Sequence, residues 1–134
     1  MFDPKTRVLV IDDMTTMRKI VSKACRDLGF TDITEAADGA QGWQAISTAA
    51  APIGLVISDW NMPNCTGIEL LKRERASKQY AQLPFVLVTA EAEQHQIAEA
   101  IKAGVSNYVV KPFAPGSLKE KLEAVHKKIS GTTK

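Results

Sequence analysis

Four short runs of apolar residues, each ending abruptly at a polar side chain, constrain the fold of this chain more than any other feature. They comprise residues 8–11, 55–58, 84–88 and 108–110, and a weaker strand is predicted at 33–36. The runs are rich in β-branched residues and do not alternate between apolar and polar positions, which is typical of strands buried on both faces of a parallel sheet.

The segments between these runs change to the 3.6-residue period of amphipathic helices. Helices are predicted from about residue 15 to Gly29, from 40 to about 49, from 66 onward, around 97–103 before Gly104, and from 117 to 129. Thr66 and Ser117 each have a glutamate three residues later, which is the spacing of a capping box at a helix start. Ile20 and Ile101 are predicted on the inner faces of the first and fourth helices.

Five strand–helix units in succession predict an α/β fold, in which a single doubly wound, five-stranded parallel sheet carries five helices on its two faces. We expect one domain over residues 1–134, with its core at about 6–129.

The composition favours a soluble protein without a polyanionic partner. Seventeen basic and fifteen acidic residues give a net charge of +2, and the basic residues form no concentrated stripe of the kind that binds nucleic acid. No stretch approaches the roughly 18 apolar residues that span a bilayer. The two cysteines do not suffice for a metal framework. We therefore expect a cytoplasmic monomer with free thiols that binds neither nucleic acid nor membrane.

The polar residues that follow the strands carry the chemistry. In such sheets, ligands bind beyond the carboxyl ends of the strands, where this sequence delivers Asp12, Asp13, Asp59, Thr89 and Lys111. Three crowded carboxylates repel one another unless a cation neutralises them, and an all-oxygen set that leaves room for water and phosphate suits Mg²⁺. An aspartate can also act as a nucleophile and form an acyl phosphate.

Four segments, taken in their order along the chain, resemble the pattern of a known family. Residues 10–13 (VIDD), 58–64 (SDWNMPN), 88–92 (VTAEA) and 108–113 (YVVKPF) match the pattern of response-regulator receiver domains. The chain resembles this family along nearly its whole length, and within it the stand-alone chemotaxis regulators. The resemblance implies the flavodoxin-like strand order 2-1-3-4-5.

The resemblance also implies a role for each site residue. Asp59 would be the phosphoacceptor, and Asp13, Asp59 and the backbone carbonyl of Asn61 would bind Mg²⁺, with Asp12 acting through water. Lys111 would hold the phosphoryl group together with Thr89.

Thr89 and Tyr108 would form the switch pair, although a strand-end aromatic such as Tyr108 is also common as simple packing. The side chains of Asn61 and Glu91 would tune hydrolysis, and residues 92–128 would present the activated surface. One departure from the chemotaxis pattern stands at Cys65–Thr66.

The resulting hypothesis is a stand-alone switch that takes a phosphoryl group from a chemotaxis-type histidine kinase and catalyses only its own phosphorylation and dephosphorylation. Because no further domain is expected after residue 129, its output would be binding to a partner such as the flagellar motor switch protein. A phosphatase is a further possible partner.

Two other functions use the same residues. The chain could be a phosphorelay carrier that passes the group to a histidine phosphotransfer domain. It could also be a Mg²⁺-dependent aspartyl phosphohydrolase, although such enzymes usually carry a second acid where Asn61 stands. Flavin binding on a flavodoxin-like sheet ranks last, because Asp12 and Asp13 would repel its phosphate.

Overall fold

The computed structural model of the protein describes residues 2, 4–48, 52–60, 62, 65–89, 94–110 and 115–131. Strands and helices alternate along this part of the chain in the order β1 (Arg7–Ile11), α1 (Thr15–Asp27), β2 (Asp32–Ala36), α2 (Gly39–Thr48), β3 (Leu55–Asp59), α3 (Gly67–Ala76), β4 (Phe85–Thr89), α4 (Gln94–Lys102), β5 (Asn107–Val110) and α5 (Pro115–Gly131). None of these helices is long and apolar enough to cross a membrane.

The five strands form one parallel sheet in the order β2-β1-β3-β4-β5, which confirms the predicted fold class and strand order. All neighbouring pairs run in parallel. β3 therefore lies at the centre, between β1 and β4. The strand order reverses between β1 and β3, and this is where an open parallel sheet leaves a crevice at its carboxyl edge.

Each central strand contributes side chains to apolar layers on both faces of the sheet. In β1, Val8 and Val10 pack with α1 and α5, whereas Leu9 and Ile11 pack with α2, α3 and α4. All five residues of β3 and of β4 are buried. Burial on both faces explains why the sequence of these strands is continuously apolar and not alternating.

Backbone geometry at several helix ends follows the sequence signals. Gly29 and Gly104, just past α1 and α4, have φ values of 105° and 92°, a left-handed conformation in which a side chain would be strained. Thr66 caps α3 with the predicted capping box: Glu69 N donates to Thr66 Oγ1 at 3.2 Å, and Thr66 N donates to Glu69 Oε1 at 3.0 Å.

Three local predictions are wrong. Ile20 is 50% exposed and Ile101 is 63% exposed, so neither lies on the inner face of its helix. In α1 the sheet is contacted instead by the side next to Ile20, which includes Val21. The helix α5 begins at Pro115, a residue whose fixed φ suits the first helical position. Ser117 therefore lies inside the first turn and is not the cap.

Candidate functional site

The carboxyl ends of β1 and β3 bring three carboxylates together. One oxygen from each of Asp12, Asp13 and Asp59 lies within 4.8 Å of the others. Asp12 and Asp59 are only 2% and 8% exposed, whereas Asp13 is exposed to solvent. The cluster thus has a buried floor of two aspartates and an open side at Asp13.

Three hydrogen bonds to Asp12 fix the end of β1. Asp12 N donates to the carbonyl oxygen of Ala36 at 3.2 Å, which extends the β1–β2 ladder by one bond. Met14 N donates to Asp12 Oδ1 at 2.9 Å. The guanidinium of Arg18 donates through Nη1 to the carbonyl oxygen of Asp12 at 2.8 Å. The peptide that carries the acidic pair is therefore held from β2, from the turn that follows and from α1.

Asp59 is fixed by the loop that leaves β3. Trp60 N donates to the carbonyl oxygen of Val88 at 2.9 Å, and Gly67 N donates to the carbonyl oxygen of Trp60 at 2.9 Å. The chain returns so closely that a Cβ at Gly67 would overlap the carbonyl oxygen of Asp59. The first residue of α3 must therefore be small for the helix to start here. Trp60 is 8% exposed and belongs to the core.

Thr89 and Tyr108 come from the adjacent strands. Thr89 ends β4, is 3% exposed and is aligned with Val110, the residue before Lys111. Tyr108 is half-buried against the α2–α3–α4 layer of the core, and Lys121 Nζ lies 4.7 Å from the centroid of its ring. Tyr108 therefore packs from β5 against this layer, with the ammonium of Lys121 beside its ring, and remains only half-buried.

Three of the residues assigned to the site from sequence, namely Asn61, Glu91 and Lys111, lie outside the described part of the chain. Their roles stay predictions. The departure at Cys65–Thr66 leaves the start of α3 intact, because Thr66 provides the cap described above.

Two residues beside the site received no role from the sequence. Arg18 Nε donates to Glu35 Oε1 at 3.0 Å, and Lys19 Nζ lies 3.2 Å from the same oxygen. Burial alone would raise the pKa of Glu35, but the hydrogen bonds from Lys19 and Arg18 outweigh it and lower the pKa. Arg18 and Glu35 are 17 residues apart in the sequence. Their contact could be predicted only with the register of β2, which brings Glu35 next to α1.

The donor set fits a hard divalent cation. Three carboxylates this close repel one another, and a cation with several oxygen ligands relieves that repulsion. The buried floor supplies protein oxygens, and the exposed Asp13 leaves one side open to water or to a phosphate oxygen. No cysteine or histidine among the described residues belongs to the cluster, so the ligands match Mg²⁺ better than zinc.

Known proteins and solved structures are similar to this chain along most of its length. The family model described as response regulator receiver domain matches residues 8–123. The chain is 44% identical over 125 residues to the chemotaxis protein CheY of Pseudomonas aeruginosa, covering 93% of this chain and 99% of that protein. It is 42% identical over 119 residues to CheY1 of Helicobacter pylori strain J99, covering 89% and 95%. Among solved structures, Vibrio cholerae chemotaxis protein CheY4 matches with a TM-score of 0.82 and 33% identity, covering 90% of this chain and 98% of that one.

Proposed function

This chain belongs to the family of response regulator receiver domains, and from that premise we propose that it is a phosphorylation switch whose phosphoacceptor is Asp59. The observation that carries the proposal is the meeting of the Asp12, Asp13 and Asp59 carboxylates at the carboxyl edge of the sheet. We propose further that residues 1–134 form one receiver domain, with the core at about 6–129.

The surroundings of the three aspartates support a different role for each of them. Asp59 ends the central strand, is nearly buried and is paired with Val88 of β4, so the sheet fixes its position. Asp13 is exposed and free to approach a hydrated ion. Asp12 already accepts a hydrogen bond from Met14 N, which suits a carboxylate that acts on the ion through water.

The proposed Mg²⁺ ligands are Asp13, Asp59 and the backbone carbonyl of Asn61, with Asp12 behind a water molecule. When bound, Mg²⁺ would neutralise the carboxylates and the charge on the phosphoryl oxygens during transfer. Without that neutralisation, the triad would repel an incoming phosphoryl group.

Phosphoryl transfer then needs only a nucleophile and positioned charges. A carboxylate oxygen of Asp59 attacks phosphorus, the bond from phosphorus to the donor breaks, and an acyl phosphate forms on Asp59. With a phosphohistidine donor, the departing imidazole nitrogen takes up a proton. The hydroxyl of Thr89 would donate a hydrogen bond to a phosphoryl oxygen, and the ammonium of Lys111 would supply a compensating positive charge. The side chains of Asn61 and Glu91 would control the approach of water for hydrolysis.

The output of the switch would pass through Thr89 and Tyr108. Movement of the Thr89 hydroxyl toward the phosphoryl group would vacate space beside β5, and the half-buried ring of Tyr108 would turn inward. Its partly accessible position beside Lys121 supports this role. The surface formed by residues 92–128 would then change its affinity for a partner.

The relatives suggest which partners to test. Proteins named for chemotaxis are among the matches, so we propose a histidine kinase of chemotaxis as the donor and the flagellar motor switch protein as the target, in the cytoplasm. Incubation of the phosphorylated protein with a histidine phosphotransfer domain discriminates this from a relay. Rapid transfer to the histidine would favour the relay, whereas retention of the phosphoryl group would favour the switch. Steady turnover of organic phosphates would favour a phosphohydrolase.

Emission from Trp60 tests the proposal, because this buried indole follows Asp59 directly. Trp43 supplies the other tryptophan signal, and a Trp43→Phe background removes it. Titration with Mg²⁺ should change Trp60 emission and saturate, and acetyl phosphate should change it again. Asp59→Asn should eliminate the second change. An acetyl phosphate response that persists in Asp59→Asn would contradict the assignment of the phosphoacceptor.

A further inference from the structure

The pair formed by Arg18 and Glu35 lies beside the acidic residues at the end of β1. Resting on the proposed Mg²⁺ site, we propose that Arg18, held by Glu35, is a positioning residue that orients the Asp12–Asp13 peptide and thereby sets the affinity of the aspartate triad for a divalent cation.

The side chain of Arg18 is hydrogen-bonded to the backbone of Asp12. Nη1 of Arg18 donates to the carbonyl oxygen of Asp12 at 2.8 Å. That oxygen belongs to the peptide joining Asp12 to Asp13, and the N–H of Asp12 is already bound to Ala36 on β2. Bonds at both ends of Asp12 therefore fix the orientation of the peptide plane that leads into Asp13. Because Asp13 is exposed, its carboxylate depends on this backbone for its position.

Glu35 fixes the guanidinium in turn. Its Oε1 accepts from Arg18 Nε at 3.0 Å, and the side chains of Arg18 and Glu35 are only 16% and 20% exposed. A planar guanidinium bound through two different nitrogens cannot rotate without breaking a bond. Glu35 lies in β2 next to Ala36, the residue that binds Asp12 N. The N–H and the carbonyl of Asp12 are therefore both held by neighbouring residues of β2, the N–H directly by Ala36 and the carbonyl through Arg18 by Glu35.

The charge of Glu35 has a second effect. A cationic guanidinium beside the triad would by itself repel Mg²⁺. Lys19 and Arg18 hold Glu35 in its ionised form by lowering its pKa against the effect of burial. The carboxylate therefore offsets the charge of Arg18 while leaving its hydrogen bond to Asp12 in place.

Charge and positioning predict opposite effects of removing Arg18, which makes the proposal testable. If only charge mattered, Arg18→Met would bind Mg²⁺ more tightly than the wild type. If Arg18 orients the peptide, the variant should bind more weakly, by about 10-fold to 100-fold as for other residues that support metal ligands from behind. Arg18→Lys should rescue part of the affinity, because one ammonium cannot reproduce the fork. Glu35→Gln should also weaken binding, and combining it with Arg18→Met should add little.

The chain contains a matched control in Arg7. Its Nε contacts Asp32 Oδ2 at 3.0 Å, so the two ion pairs share their geometry and both join β1 or its flank to β2. The Arg7–Asp32 pair, however, stands at the opposite end of the strand pair. Arg7 precedes Asp12 by five residues, which is roughly 16 Å at about 3.3 Å per residue. Arg7→Met should therefore leave the Mg²⁺ dissociation constant unchanged, and urea unfolding without Mg²⁺ should verify that both variants fold.

The experiment is a calorimetric titration with Mg²⁺ alone of the wild type, the Arg18 and Glu35 variants, Arg7→Met and Asp13→Asn. The proposal predicts weaker binding for Arg18→Met and unchanged binding for Arg7→Met. Equal or tighter binding by Arg18→Met, with loss of binding in Asp13→Asn, would overturn the positioning role and leave the proposed function standing. Absence of binding in the wild type would overturn both.

Discussion

Replacing the buried Glu74 of α3 with leucine should stabilise the fold, and the gain should grow as the pH rises. Glu74 is 0% exposed, and neither carboxylate oxygen has a hydrogen-bond partner among the described residues. The cation paired with it among the described residues is Arg75, whose Nη1 is 3.8 Å from Oε2. Arg75 is directed elsewhere, because it donates to the carbonyl oxygens of Gly104 at 2.9 Å and Leu83 at 2.7 Å.

The magnitude follows from the pKa of Glu74, which burial raises from 4.5 to about 8 against the opposing effect of Arg75. The folded state therefore keeps its proton over a pH range in which the unfolded chain has lost it. The contribution of Glu74 to the free energy of unfolding is therefore largest below its pKa in the unfolded chain. It falls by up to ~1.4 kcal/mol for each pH unit until the pH passes its pKa in the folded state. At pH 7 this ionisation cost amounts to roughly 3 kcal/mol. Burial of an unpaired carboxyl costs about 1–3 kcal/mol more at any pH.

Urea unfolding between about pH 5 and about pH 8 measures both contributions. Glu74→Leu should be more stable than the wild type throughout, with a difference that widens as the pH rises. Glu74→Gln is the control, because it removes the titration but keeps an unpaired polar group; it should lose the pH dependence and gain less at low pH. Parallel stability curves for all three proteins, or a leucine variant that is less stable throughout, would show that burying the Glu74 carboxyl does not destabilise the fold.

Two further predictions concern glycines and cysteines. Gly67→Ala should cost about 1–3 kcal/mol of unfolding free energy and slow phosphorylation, because its methyl group would overlap the backbone of Asp59. Gly116→Ala is the control and should be neutral or stabilising, because the space around its Cβ is open. Equal effects of the two substitutions in urea unfolding and phosphorylation assays would argue against this. Burial raises the pKa of Cys25 to about 12 and also raises that of the half-buried Cys65. Ellman's reagent at neutral pH should therefore modify Cys65 slowly in the native protein and Cys25 only after unfolding, and rapid modification of both thiols would contradict the buried position of Cys25.

The sheet could be predicted from the sequence because each strand has a recognisable local pattern. Continuous apolar runs occur where β3 and β4 are buried on both faces, and their polar ends are the residues that meet at the sheet edge. The strand order and the individual roles came from the family resemblance and not from periodicity. Predicting that the carboxylates meet therefore required two steps. The first was the fold class, inferred from the apolar pattern, and the second was the rule that such sheets bind ligands at the carboxyl ends of their strands.

Contacts between distant segments could not be predicted in the same way. Glu74 lies four residues after Leu70 and three after Leu71, on the buried stripe of α3, but a glutamate flanked by two arginines has the composition of an exposed helix face. The contact between Arg18 and Glu35 requires the register of β2, which no local pattern specifies. Similarly, the exposure of Ile20 depends on which side of α1 faces the sheet, and adjacent apolar residues leave that choice open.

The most direct test of the central claim is the intact mass of the protein after incubation with Mg²⁺ and acetyl phosphate, compared between the wild type and Asp59→Asn. The wild type should gain the mass of one phosphoryl group, EDTA should prevent the gain, and Asp59→Asn should gain none. An unmodified wild-type protein, or an equal gain in Asp59→Asn, would contradict the claim that Asp59 accepts a phosphoryl group at this carboxylate site.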